Sequence, residues 1–341
     1  MTNPVLVEVT RGPAVESWHR GAFVVANAAG DVLASAGHIE NPVYPRSAIK
    51  AFQALPLLET GAADAYGFND RDIALACASH GGEPEHVLVA EGMLDKAGLE
   101  ERDLECGAHW PSWPKAARDL GIAGAEPTPI HNNCSGKHAG MLALAKHMGA
   151  ETKGYVGREH PVQREVAETL GAMCDYDLDD TPCGIDGCSV PTWAIPLHNL
   201  ALGFARLATP SALEAERAEA AARIFAAVAA EPFLVAGTNR FCTEVMTAVP
   251  RAFVKTGAEG VFCGCVPHAG LGIALKCDDG ATRAAEAMMA AILAELTVFS
   301  GEEREALSGF ARCDVDNRRG TIVGEVRPLA DHFAGVGQVK V

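Results

Sequence analysis

The chain has 341 residues, which is enough for one large domain or two closely packed subdomains with a sizeable core. Its hydrophobic fraction of 48% and charged fraction of 21% are those of an ordinary globular protein. The formal net charge of -16 makes nucleic acid and anionic membranes poor partners.

The N-terminal segment and the cysteines bear on the compartment. The first residues lack the basic and apolar regions of a secretory signal peptide, and no stretch approaches the ~20 apolar residues of a membrane span. Eleven cysteines, an odd number, indicate reduced thiols rather than a complete disulfide framework, and we expect a cytoplasmic protein. Several thiols lie in apolar runs and are expected in the core: Cys77, Cys242, Cys263, Cys265 and Cys277.

The predicted elements change character twice along the chain. Residues 6–9, 22–27 and 32–35 predict strands, and the last two form a hairpin around Gly30-Asp31. Apolar residues then recur at helical spacing over 48–58, 84–97, 137–148, 161–173 and 213–229. Strands return at 252–255, 260–263 and 272–277, and a helix is predicted over 282–298.

This order of elements predicts an α+β (α/β) fold. The simplest arrangement is an antiparallel sheet built from both chain ends and flanked by helices, with a mainly helical subdomain inserted between them. We expect a single domain over 1–341, with its sheet part at about 1–46 and 233–341 and its helical part at about 47–232. An active site is expected in the cleft between the two parts.

Ser47 and Lys50 form the first chemical motif, because residues three apart on a helix are neighbours. A desolvated lysine amine can accept the proton of a serine hydroxyl and so activate it as a nucleophile. The spacing alone is a weak signal, since Ser112 and Lys115 share it. Pro114 prevents a continuous helix there, and we discard that second match.

The second motif is Lys255-Thr256-Gly257 on a predicted strand. An early S-x-x-K helix combined with a late K-T-G strand is typical of the serine acyltransferases that recognise penicillin. In that arrangement Lys255 faces the serine, and Gly257 lets substrate approach the strand backbone. Taken alone, the motif is equally a strand lysine followed by an ordinary turn.

Three further segments are polar loops that contain glycine. Ser79 and His80 precede Gly81-Gly82, and this loop offers a second hydroxyl, although it also has the form of a plain turn. Residues 131–140 and 184–191 each carry a thiol, Cys134 and Cys188. Zinc favours thiolate ligands, but none of the usual zinc-ligand spacings is present, so spacing alone is a weak indication of a metal.

Together these blocks resemble the rhizobial-type (class 3) L-asparaginases of the asparaginase II family. The likeness covers nearly the whole chain and is carried by the segments at 44–50, 78–82, 131–140 and 184–192. It implies a fold like serine β-lactamases and penicillin-binding proteins, a homodimer, and two Ser-Lys tandems, Ser47 with Lys50 and Ser79 with Lys255.

The resemblance also implies zinc, held by Cys134, Cys188 and Lys137, that assists substrate binding more than the chemistry. A lysine binds metal only when it is neutral, so Lys137 would need a strongly lowered pKa. Candidate substrate contacts are Asp186 for the α-amino group, Arg46 for a carboxylate, and His80.

The predicted function is hydrolysis of L-asparagine to L-aspartate and ammonia through an acyl-enzyme, with either Ser47 or Ser79 as the nucleophile. The alternatives within enzymes are a serine glutaminase and a β-lactam-type acyltransferase. The alternative outside enzymes is a zinc or amino-acid binding protein that uses Cys134 and Cys188.

Overall fold

A computed structural model describes residues 2–340 and confirms the predicted mixture of helices with one large antiparallel sheet. The strands are β1 (Val5–Arg11), β2 (Ala14–Asn27), β3 (Val32–Ala36), β4 (Pro42–Val43), β5 (Cys183–Ile185), β6 (Pro191–Trp193), β7 (Ile195–Pro196), β8 (Phe253–Thr256), β9 (Val261–Val266), β10 (Leu271–Cys277), β11 (Cys313–Asp316) and β12 (Ile322–Pro328). The helices are α1 (Lys50–Glu59), α2 (Ala62–Ala65), α3 (Asp70–Ala76), α4 (Pro84–Lys96), α5 (Pro114–Ile122), α6 (Ser135–His147), α7 (Pro161–Cys174), α8 (Leu197–Leu207), α9 (Ala215–Ala230), α10 (Pro232–Ala236), α11 (Phe241–Ala248), α12 (Thr282–Glu295) and α13 (Gly301–Ala311).

The chain divides into two compact units. Unit 1, which contains the large sheet, comprises Met1–Ala48, Ala194–Thr209 and Ala248–Val341. Unit 2, which is mainly helical, comprises Ile49–Trp193 and Pro210–Thr247.

The sheet of unit 1 joins both ends of the chain through β2. Its eight strands include the path β11-β12-β1-β2-β10-β9-β8, with β3 paired to β2. The first half of β2 pairs with β1 and the second half with β10, both antiparallel. Because one 14-residue strand serves both partners, N-terminal and C-terminal segments share a single sheet, as predicted.

The central strands of this sheet are covered by helices. Every residue of β9 is buried, and α8 and α12 pack on β9 and on its neighbour β10. A Cβ atom at Gly272 of β10 would lie 2.0 Å from the backbone oxygen of Ala201 in α8. Only glycine permits this approach, so α8 belongs with the sheet despite its position mid-chain.

Unit 2 is built around α1 and α6. Residues 50–58 of α1 and residues 135–145 of α6 are buried, as expected of helices surrounded by other helices. α6 lies against α1, α3, α4 and α7. Among residues 2–340, no helix combines the length and the apolar character that crossing a membrane requires.

A stability prediction follows from one glycine of α6. A Cβ atom at Gly136 would lie 2.5 Å from both the backbone oxygen and the Cγ of Leu75, so α6 and Leu75 would have to separate. We expect Gly136→Ala to lower the free energy of unfolding by about 1–3 kcal/mol. Gly92 within α4 has nothing within 4 Å of its Cβ position, and Gly92→Ala should raise that free energy by about 0.5–1 kcal/mol. Urea unfolding of both variants checks this, and equal effects would contradict it.

The eleven cysteines all lie within residues 2–340, and none of them forms a disulfide there. Nine of them are buried, including the five that the apolar sequence runs placed in the core. Cys183 is partly exposed and Cys313 is exposed.

Candidate active site

Ser47 lies in a short turn directly before α1. Residues Arg46–Ile49 form a 3-10 turn, and the α-helix begins at Lys50, slightly later than the predicted start at residue 48. Ser47 is half-buried. Arg46 has φ 52°, a left-handed conformation that is costly for a residue with a side chain and that often marks functional sites.

Lys50 connects three of the predicted motifs. Its side chain is 1% exposed, and its Nζ donates a short hydrogen bond to the backbone oxygen of Ala78. It also donates to the backbone oxygen of Asn133 at 3.4 Å. The Lys50 amine therefore lies beside both the Ser79 loop and the loop that carries Cys134.

The Ser79 loop is held in place by backbone hydrogen bonds. The Ser79 N–H donates to the oxygen of Val235 at 2.9 Å, and the His80 N–H donates to that of Asn133 at 3.2 Å. Ser79 is 5% exposed. Its hydroxyl thus belongs to a largely buried loop that is held by backbone hydrogen bonds.

His80 uses both ring nitrogens within the protein. Its Nδ1 accepts the N–H of Gly82 at 3.1 Å, and its Nε2 lies 3.0 Å from the hydroxyl of Ser135. Burial lowers the pKa of His80 well below its ordinary value. Because a neutral ring with Nδ1 as acceptor carries its proton on Nε2, His80 donates to Ser135. These bonds suit a residue that positions the Ser79 loop, whereas the sequence suggested a substrate contact.

A buried carboxylate supports the same loop and was missed from the sequence. Glu83 accepts hydrogen bonds from the N–H and hydroxyl of Thr238 at 2.8 and 2.6 Å. His86 stacks on His80 with ring centroids 4.9 Å apart. Nothing in the sequence relates residue 83 to residue 238, because the contact depends on how unit 2 folds.

The loop before α6 is also fixed by amide side chains. Asn132 accepts the Cys134 N–H through Oδ1 at 2.8 Å and donates through Nδ2 to Cys106 at 2.9 Å. The Asn133 N–H donates to Nε2 of His109 at 2.9 Å. His109 lies outside the sequence motifs, so the sequence assigns it no role.

Cys134, Lys137 and Cys188 lie close together in unit 2. They are 4%, 3% and 4% exposed, and Lys137 Nζ lies 3.0 Å from the Sγ of Cys188. Cys134 directly precedes α6, and Lys137 lies in its first turn. Cys188 lies in the loop between β5 and β6, where Ser189 adopts a left-handed φ of 75°.

The charges of this cluster depend on one another. The hydrogen bond with Cys188 lowers the pKa of Cys134 well below its ordinary value, an effect that burial opposes and the nearby lysines strengthen. The same hydrogen bond and burial raise the pKa of Cys188. Burial disfavours the charge of Lys137, but the two sulfurs outweigh it and raise its pKa. The protein atoms alone therefore stabilise a lysine cation with a thiolate, contrary to the lowered pKa expected for a metal ligand.

The donor set nevertheless fits zinc. Two buried sulfurs and one buried amine offer three of the four ligands of a tetrahedral site, and thiolate is a preferred zinc donor. A zinc ion would supply the positive charge that Lys137 provides when protonated, so the amine could release its proton to bind.

Asp186 lies in the same loop as Cys188. It is half-buried, its carboxylate accepts the N–H of Gly187 at 2.7 Å, and its charge acts on Lys137. Its backbone N–H donates to Val190 at 2.8 Å and closes the loop. This fixed carboxylate remains a candidate for binding a substrate amine.

Lys255 and Gly257 are placed in unit 1. Lys255 on β8 is 1% exposed, and its Nζ donates to the backbone oxygen of Thr256 at 3.0 Å. A Cβ atom at Gly257 would lie 2.6 Å from the oxygen of Pro45 and 3.3 Å from the Cβ of Ala48. Gly257 thus lets the end of β8 pack against the segment that carries Ser47. From the sequence, the expected role of Gly257 was to let substrate approach the strand backbone.

Comparisons with known proteins give one family match and solved structures of low similarity. A model of the family described as L-asparaginase II matches residues 7–328. No curated protein is detectably similar in sequence. A beta-lactamase from Mycobacterium bovis is 14% identical with a TM-score of 0.40, over 85% of this chain and 92% of that chain. A protein named Mglu is also 14% identical with a TM-score of 0.40, over 76% of this chain and 61% of its own.

Proposed function

Because the chain belongs to the L-asparaginase II family, we propose that it hydrolyses L-asparagine to L-aspartate and ammonia with Ser-Lys pairs. The observation that carries this proposal is the position of the buried Lys50 amine. It donates to Ala78, next to Ser79, and to Asn133, next to Cys134, while Ser47 precedes it by three residues. Three separate sequence motifs thus meet at one amine.

The proposed chemistry is a double displacement. Ser47 or Ser79 attacks the side-chain carbonyl carbon of asparagine, and its lysine partner, in the neutral form, accepts the hydroxyl proton. The same lysine then protonates the departing ammonia. Backbone N–H groups stabilise the oxyanion, and water hydrolyses the aspartyl ester to regenerate the serine.

We pair Ser47 with Lys50 and Ser79 with Lys255. Both lysines are 1% exposed, so each proposed proton transfer would take place away from bulk water. The packing of Gly257 against Pro45 also supports a shared role for β8 and the Ser47 turn. Arg46 is proposed to bind the α-carboxylate and Asp186 the α-amino group of the substrate.

Cys134, Lys137 and Cys188 are proposed to hold zinc, which when bound polarises nearby substrate groups as a Lewis acid. Cys134→Ser is expected to remove about one bound zinc ion per chain relative to the unsubstituted protein, because one of two thiolate donors is lost. Turnover should survive with a raised KM. Metal analysis of the purified variant measures this, with the exposed Cys313→Ser as control. Unchanged zinc in Cys134→Ser would contradict the assignment.

Substrate choice is tested by comparing rates on L-asparagine, L-glutamine and a chromogenic β-lactam. The proposal expects ammonia release to be fastest with L-asparagine. Faster release from L-glutamine would assign a glutaminase, and β-lactam cleavage without ammonia release would assign an acyltransferase. Tight ligand binding without turnover would assign a binding protein. We also propose a homodimer, as the resemblance implies, and sedimentation velocity measures the oligomeric state.

A further inference from the structure

Three side chains that suit a transition metal form a cluster in unit 1, and none of them belongs to the proposed active site. They are His19 on β2, Cys277 at the end of β10, and Asp279 in the turn that follows. A ring nitrogen of His19, the Sγ of Cys277 and a carboxylate oxygen of Asp279 lie within 4.8 Å of one another.

Asp279 is the centre of the cluster. Its Oδ2 lies 2.6 Å from Nδ1 of His19, and its Oδ1 accepts hydrogen bonds from Cys277 Sγ at 2.9 Å and from the Ala281 N–H at 3.0 Å. His19 is 4% exposed and Cys277 is fully buried, whereas the side chain of Asp279 is 49% exposed. The cluster therefore has two buried donors and one donor at the surface, through which an ion can enter.

The backbone fixes the positions of all three residues. β2 and β10 pair in register as far as Gly21 and Cys277. The turn beyond is attached to β2 by the Asp278 N–H, which donates to the oxygen of Arg20 at 2.9 Å. Paired strands and an anchored turn therefore hold the three donor side chains in fixed positions, as a metal site requires.

Only one of the two ring nitrogens of His19 has a polar partner among residues 2–340. Its Nε2 is buried and has no hydrogen-bond partner among residues 2–340, whereas its Nδ1 faces Asp279. Buried polar atoms are normally paired, so a ring that satisfies one nitrogen alone needs another reason to be buried. Coordination of an ion by Nδ1 would be such a reason, with Nε2 carrying the ring proton and still without a partner among residues 2–340.

The distances allow an ion with a small adjustment. Zinc bonds of 2.0–2.3 Å in a tetrahedron put neighbouring ligand atoms roughly 3.3–3.8 Å apart. The hydrogen-bonded contacts of 2.6 and 2.9 Å are made by different oxygens of Asp279, and they would open by about 1 Å or less as this half-exposed side chain turns one oxygen toward the ion. The three donor atoms already lie within 4.8 Å of one another.

The charges also balance. The Cys277 thiol would release its proton to water as the ion binds, and His19 would coordinate through the lone pair of Nδ1. One thiolate and one carboxylate then match the two positive charges of the ion. A sulfur, nitrogen and oxygen set favours zinc or cobalt over magnesium or calcium.

We propose that His19, Cys277 and Asp279 bind a divalent transition metal, such as zinc, with a fourth position open to water. The ion would tie the turn after β10 to β2. The ion would thereby link strands from the two ends of the chain.

Cobalt binding tests the proposal, because a cobalt–thiolate bond gives a charge-transfer absorption band. The full chain carrying Cys134→Ser and Cys188→Ser, which lacks the other two proposed sulfur ligands, should still bind about one cobalt per chain with this band. Adding Cys277→Ser should abolish the band, and adding His19→Gln should weaken binding at least tenfold. Cys265→Ser, which removes another buried thiol, is the control and should leave the band unchanged.

Absence of the band from the Cys134→Ser/Cys188→Ser protein, or its persistence after Cys277→Ser, would overturn the proposal. If that double variant does not fold, the test uses the wild-type chain and the single variant His19→Gln. Addition of zinc should then raise the thermal unfolding midpoint of the wild-type chain by more than it raises the midpoint of His19→Gln. Equal zinc effects on the two proteins would count against the site, whether or not the asparaginase proposal holds.

Discussion

Replacement of Lys50 by methionine is expected to reduce the turnover of L-asparagine by about 10²–10⁴-fold, the range for loss of a general acid-base group. Methionine fills a similar volume in the buried site but cannot accept the serine proton, nor donate to Ala78 and Asn133. Initial rates of ammonia release measure the effect, and circular dichroism reports whether the variant is folded.

The discarded S-x-x-K match supplies the control for this experiment. Lys115 is exposed and pairs with Asp119 at 2.5 Å, so Lys115→Met should keep full activity. Lys50→Arg keeps the positive charge but cannot serve as a base, and it should be as inactive as Lys50→Met. A folded Lys50→Met protein with full turnover would remove Lys50 from the mechanism.

The second large effect is expected at the serines. Alanine at the nucleophile should reduce turnover by about 10⁴-fold or more, because no covalent intermediate can form. Alanine at the other serine should cost less, since it affects proton transfer only. Comparing Ser47→Ala, Ser79→Ala and the double variant identifies the nucleophile. Ser112→Ala, at an exposed serine, is the control. Normal rates in both single variants would exclude the two-tandem mechanism.

Much of the fold could be predicted because its signals are local. The prediction places β3, α4 and α7 within one residue at both ends, since glycine, proline and apolar spacing mark them. The end of β2 at Asn27 is also predicted, but the strand begins at Ala14, eight residues before its predicted start. β11 and β12 were missed because their alternation is weak and charged residues interrupt it. The packing of α8 on the sheet was not predicted, because it is revealed only by the close approach of α8 to Gly272 in β10.

The candidate site divides in the same way. Residue types and spacing indicated Ser47, Lys50 and the thiols, because these groups carry recognisable chemistry. The supports of the site were not predictable, since Glu83 with Thr238 and Asn133 with His109 are contacts between residues distant in sequence. The environment of Lys137 was also missed, because its raised pKa depends on two sulfurs brought together by folding.

The central claim is that an ester of aspartate forms on Ser47 or Ser79 during turnover. The most direct measurement is mass spectrometry of peptides from protein quenched by acid while it hydrolyses L-asparagine. The account predicts an aspartyl adduct on one of these two serines, lost when that serine is alanine. Rapid ammonia release with no adduct on either serine, and with unimpaired rates in both alanine variants, would contradict it.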